Sequence, residues 1–114
     1  MKFDVILTPE FERAFKSLAK RHRSLTKDIL IFIKSLEENP FQGTELCPGV
    51  RKIRMAITSK GRGKSGGARV ITFTTMASED NGTIYLIDIY DKPDYDSVDV
   101  AILQKHMKDI GLLD

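Results

Sequence analysis

The chain has one cysteine, Cys47, and no tryptophan. A single cysteine cannot close an internal disulfide, so nothing ties the fold to an oxidising compartment. A catalytic thiol needs an activating base beside it. Cys47 sits in the turn-like segment LCPGV and reads as an inert linker residue. Long apolar runs are also missing, since none approaches the ~18 residues of a membrane-spanning helix. The stretch MKFDVILTPEFE meets acidic residues too soon for a secretory signal. The expected setting is therefore the cytoplasm, without a membrane partner. Histidine is scarce: His22 and His106 have no second His or Cys at ligand spacing, and both fall on expected helices as surface residues. The aspartates near the C-terminus lack the order of a calcium-binding loop. No metal and no other cofactor is expected. The most informative absence is of negative charge. From Leu46 to Ser78 there is no Asp or Glu, while seven basic residues occur: Arg51, Lys52, Arg54, Lys60, Arg62, Lys64 and Arg69. Residues 79–99 reverse this, with Glu79, Asp80, Asp88, Asp91, Asp94, Asp96 and Asp99 against Lys92 alone.

What is present fits one globular domain, residues 1–114. The net charge of +2 is too small to identify a partner, so the uneven distribution carries the information. Phe3 to Leu7 reads as a strand. Thr8-Pro9-Glu10 is a helix start, and Phe11, Ala14, Phe15 and Leu18 give that helix one apolar face, closed by Lys20-Arg21-His22-Arg23. Ser24 caps a second helix with the stripe Leu25, Ile29, Phe32, Ile33 and Leu36, stopped by Asn39-Pro40. The two helices are expected as a helical hairpin. Residues 40–49 read as an irregular connector. Strands follow at about Val50–Ile57, Ala68–Met76 and Thr83–Tyr90, the last two joined by the hairpin signal Glu79–Gly82. In the last strand Tyr85, Ile87 and Ile89 alternate against Leu86, Asp88 and Tyr90. Asp96 or Ser97 is the expected cap of a final helix carrying Val98, Ile102, Leu103, Met107 and Ile110. The predicted fold is α+β: an antiparallel sheet of about four strands, the helical hairpin on one face and a C-terminal helix.

The chain is organised around VRKIRMAITSKGRGKSGGARVITFTTM, residues 50–76. Ile53, Met55 and Ile57 should face the core, leaving Lys52, Arg54 and Ala56 on the other face. A run of like charge is usually only solvated surface. Here Lys52, Arg54 and Arg69 stand inside apolar, β-branched runs, so the sheet would aim them, as a phosphate site needs. The loop GRGKS resembles a nucleotide-binding loop only superficially: Thr58 occupies its first glycine position, and the loop leads into a strand rather than a helix. As a plain loop it is soluble and mobile; as a clamp, Lys60, Arg62 and Lys64 would hold an extended polyanion. Taken singly, the other cations also suit ordinary roles, with Lys52 and Arg54 on a solvated face and Arg69 paired to Asp88. Tyr90 likewise suits the edge of a core.

Arg51-Lys52-Ile53-Arg54, then Gly67-Ala68-Arg69-Val70-Ile71, resembles the RelE/ParE superfamily of toxins from type II toxin–antitoxin pairs. RKIRMAITSKGRGKSGGARVI is most similar to its HigB-like RelE branch, and YLIDIYDKPDYD resembles that branch's final strand and the entry to its last helix. The resemblance implies a metal-independent endoribonuclease that cuts mRNA on the translating ribosome by 2′-hydroxyl attack on the adjacent phosphate, and is held inactive by a cognate antitoxin. It matches Lys52 and Arg54 to a basic pair, Arg69 to an arginine opening the next strand, and Lys92 to a cation after the last strand. Fixed positive charge suits a dianionic transition state, with Arg69 on the scissile phosphate and Lys52 as candidate base. Tyr90 and Tyr95 are the candidates to stack on a base and, by the resemblance, for the aromatic or histidine near the last helix that contributes to cutting in the RelE branch, with Arg51, Lys60, Arg62 and Lys64 as further RNA contacts. The chain departs from the pattern at Ala56, where some members carry a third cation, and in a longer Lys60–Gly67 loop. The alternatives are a ParE-like inhibitor of DNA gyrase and a non-catalytic RNA-binding module.

Overall fold

The computed structural model describes residues 2–94 and 99–113. The chain runs β1 (Lys2–Leu7), α1 (Pro9–Ala19), α2 (Leu25–Glu38), β2 (Thr44–Cys47), β3 (Val50–Met55), β4 (Ala68–Met76), β5 (Asn81–Asp91) and α3 (Val100–Asp109). Short 3-10 turns lie at Thr58–Lys60 and Lys92–Asp94. The class is α+β, as the sequence predicts. The sheet, however, has five strands in the order β1-β5-β4-β3-β2, and it is mixed: β1 runs parallel to β5, and the other pairs are antiparallel.

The extra strand is β2, inside the segment read as an irregular connector. Its turn is Pro48-Gly49, with Gly49 at φ +83° and Cys47 opposite Val50. Proline followed by a glycine with positive φ is the signature of a type II turn, and it folds Thr44–Cys47 back onto β3. The helical pair also differs from expectation. α1 packs chiefly against β5 and α2 against β1, with little contact between the helices. The sheet holds them, not a hairpin interface of their own.

Thr8 explains how α1 starts where it does. Its Oγ1 accepts from Phe11 N at 3.3 Å and donates to Leu86 O at 2.8 Å, so one hydroxyl caps the helix and ties it to β5. α1 ends at Ala19, so the Lys20–Arg23 cations form the connector rather than the last turn. Phe11 and Leu18 are fully buried, and each such side chain contributes about 1.5–3 kcal/mol. They join Leu25, Ile29, Phe32, Leu36, Ile53, Met55, Ile57, Val70, Ile84, Leu86 and Ile89 in the main core, between α1, α2 and one sheet face.

A second, smaller core lies on the opposite face, where Leu103 and Met107 of α3 cover Val50, Ile71, Phe73 and Ile87. α3 begins later than expected, because Asp99 is the cap and accepts from Ala101 N and Ile102 N. Asp96, Ser97 and Val98 lie outside the described residues. The alternation read along β5 breaks at a bulge: Ile71 faces Asp88 while Thr72 faces Leu86, so Ile87 is one residue extra. Before it, Ile84 and Leu86 point to the main core. After it, Ile89 does, so Ile89 does not share a face with Tyr85 and Ile87. Among the described residues no helix is long and apolar enough to cross a membrane.

Candidate anion-binding cleft

Strand register brings the basic positions together. Arg54 on β3 stands directly across from Arg69 on β4, and Arg69 across from Tyr90 on β5. Directly opposed residues share a face, so these three form a row across the sheet on the α3 side. In the next row Lys52 faces Ile71, which α3 covers. Beside α3 this face opens into a cleft of about 660 Å³ lined by Gln42, Gly43, Thr44, Lys52, Ile53, Arg54, Lys64, Arg69, Tyr90 and Lys92. Five of those are cations and none is a carboxylate.

Arg69 is the pivot. It is only 8% exposed. Its guanidinium donates to three carbonyls: Ala68 O at 3.1 Å, Lys64 O at 3.3 Å and Ser65 O at 3.0 Å. These contacts orient it and fold the end of the β3–β4 loop over it. They leave its full positive charge unneutralised, because among the described residues no carboxylate pairs with it. The expected partner, Asp88, instead accepts from its neighbour Ile89 N at 2.8 Å, and burial pushes its carboxyl above the usual range. A buried guanidinium without a counter-ion is costly unless an anion completes it. Tyr90 is buried beside it. Burial raises the phenol's pKa, the Arg69 charge opposes this, and Asp88 adds to the rise, so Tyr90 stays protonated at neutral pH.

The other basic candidates go elsewhere. Arg51 points to the opposite face, where it donates to Phe41 O at 3.1 Å, stands 5.7 Å from the Phe41 ring centre and lies 3.8 Å from Glu45. Lys60 is held 2.6 Å from Asp91, whose second oxygen is 2.9 Å from His22 Nε2. His22 is therefore a half-buried connector residue, not a helix-surface one. Asp91 is buried, which raises its pKa, but Lys60 and His22 outweigh this and hold the carboxyl below its ordinary range. A similar anchor sits nearby. Asp28 accepts from Thr58 N at 2.9 Å, from Thr58 Oγ1, and from Ser24 Oγ at 2.7 Å; these bonds overcome burial and lower its pKa. Together Asp28 and Asp91 clamp the start of the β3–β4 loop to α2 and to the end of β5. Of the loop cations, Lys64 reaches the cleft, while Arg62 is exposed and does not line it. Tyr95 lies outside the described residues.

Sequence reasoning missed Gln42, Gly43 and Thr44, which close the cleft over the sheet edge. Their only signal is the glycine after Gln42, inside a segment read as connector. A scan of the sequence finds no matching protein-family model, and no curated protein matches it. The cleft can bind a polyanion, present oriented N–H donors to a phosphate, and offer a phenol proton beside it.

Proposed function

We propose that this chain is an endoribonuclease toxin of a type II toxin–antitoxin system, of the HigB-like RelE kind, acting on mRNA at the ribosome in the cytoplasm. The observation that carries the reading is Arg69: a buried guanidinium, oriented by three carbonyls and unpaired with any described carboxylate, in a cleft whose charged lining among the described residues is all cationic. Such a site suits a phosphodiester better than a protein surface. The RNA 2′-oxygen attacks the adjacent phosphorus, and the bond to the 5′-oxygen breaks. This leaves a 2′,3′-cyclic phosphate and a free 5′-hydroxyl. Lys52 takes the 2′-proton, Arg69 and Arg54 stabilise charge on the non-bridging oxygens, and the Tyr90 phenol or Lys92 returns a proton to the leaving oxygen. The ribosome and the cognate antitoxin enter through the family resemblance.

A defined mRNA in a bacterial translation extract, mapped by primer extension, tests the reading. Cuts should appear with wild-type protein, require ribosomes, and fall at least ~100-fold with Arg69→Ala, the loss expected when an oriented transition-state donor is removed. Intact RNA with folded, antitoxin-free wild type sinks the nuclease. Inhibition of gyrase supercoiling, or RNA binding without cutting, then becomes the reading in its place.

A further inference from the structure

The cleft has two unlike ends. One carries the cations and Tyr90; the other, over the sheet edge, is built from the uncharged Gln42, Gly43 and Thr44. That uncharged end is rigidly held. Gly43 has φ +81°, and a Cβ there would stand 2.3 Å from the Lys52 carbonyl oxygen and 2.8 Å from Ile53 Cγ1, so only glycine lets the chain lie this close to β3. One residue earlier, the Gln42 amide nitrogen donates to Asn39 O at 3.0 Å and to Ser35 Oγ at 3.2 Å. A backbone carbonyl can only accept, so the contact with Asn39 fixes which end of the amide is nitrogen. Both amide hydrogens are engaged. Oε1 remains, and among the described residues nothing donates to it. Turning the amide over would set Oε1 against the Asn39 carbonyl oxygen, so Gln42 is held as an acceptor.

Resting on the phosphate-binding reading above, we infer that Gln42 is a specificity-determining residue that accepts a hydrogen bond from the exocyclic amine of a nucleobase beside the bound phosphate. Thr44 sits directly across from Lys52, so this end of the cleft adjoins the cations that would hold the backbone. Cytosine and uracil give the cleanest contrast. They share a ring, but cytosine carries an N4 amino donor where uracil carries the O4 acceptor. Oε1 attracts the first and repels the second. The cleft therefore takes single-stranded RNA with an amino-bearing base at this position and disfavours uracil there.

The test is binding of fluorescently labelled hexamers of 2′-O-methylcytidine and 2′-O-methyluridine at one fixed salt concentration. The blocked 2′-oxygen prevents cleavage, so binding is read apart from catalysis. The cytidine hexamer should bind roughly three- to tenfold tighter, the range for one neutral hydrogen bond. Gln42→Met should bring the two to the same affinity, and Arg69→Ala should weaken both by the same factor. Equal affinities for wild-type protein overturn the inference whether or not the variant folds. So does a cytidine preference that persists in folded Gln42→Met. Binding of neither hexamer overturns it together with the phosphate reading. Selective binding alongside intact mRNA in the translation extract supports Gln42 and removes only the nuclease.

Discussion

Arg54 and Arg69 face one another across β3 and β4, two guanidinium groups where a sheet is better served by opposite charges. A like-charge pair at directly opposed positions is destabilising, and the pair gains nothing from a described carboxylate nearby. Replacing Arg54 with threonine, a good strand residue, removes the repulsion and should stabilise the fold by about 0.5 kcal/mol. Thermal denaturation should show this as a Tm raised by roughly 2–4 °C. The same variant should lose RNA cleavage. A variant that melts lower than wild type would mean that Arg54 serves the fold, and that its place beside Arg69 is incidental.

Local pattern made most elements legible before the structure. Thr8-Pro9, the i, i+3, i+4 apolar stripes and the β-branched runs each encode their element within a few residues, and all appear near the expected positions. Apart from β2, whose Pro48-Gly49 turn is written locally, the main misses have causes that lie far away in sequence. Nothing in Phe3–Leu7 says that its partner is β5, or that the pairing is parallel. The bulge at Ile87 interrupts a pattern that otherwise reads as plain alternation. Lys60 looked like a free loop cation because its partner, Asp91, follows 31 residues later, and His22 stands 69 residues from the same carboxylate. That clamp gives a prediction at the scale of elements, because it joins the α1–α2 connector, the β3–β4 loop and the end of β5. Asp91→Asn should cost about 2 kcal/mol, less than the roughly 3–5 of a fully buried pair because Lys60 keeps 16% of its side chain in water. Asp91 and Asp28 both have folded pKa values below their ordinary 3.8. Their stabilisation is therefore complete above that value and is lost as pH falls through the lower folded values. Denaturant titrations should show wild type losing stability steeply below about pH 4, and Asp91→Asn losing less over the same range. Parallel acid limbs for the two proteins would remove Asp91 from this account.

At the scale of the whole molecule, the sheet sets one pair of acids, Glu79 and Asp80, far from the cleft. The cleft lies at the Tyr90 end of β5, and Glu79 and Asp80 lie beyond its other end. Ten strand steps set them about 30 Å apart, well past the ~8 Å over which exposed charges interact at physiological salt. The acidic side chain nearest the site by sequence, Asp91, faces the opposite side and is already clamped. Asp88 stays on the cleft's face, across from Ile71 and close enough to act on the Tyr90 phenol, but it is not among the residues that line the cleft, whose described charges are all positive. What the sequence could not supply was which cations belong to the cleft, because Arg62 and Lys64 sit two residues apart on the same glycine-rich loop and only Lys64 lines it. Salt dependence distinguishes them. Each phosphate neutralised on a single strand contributes about −0.7 to the slope of log affinity against log salt. Lys64→Ala should make the slope shallower by about that amount, whereas Arg62→Ala should leave it unchanged. If the two substitutions shift the slope equally, the loop acts as a diffuse cationic arm, and the fixed geometry of the cleft does not select the RNA.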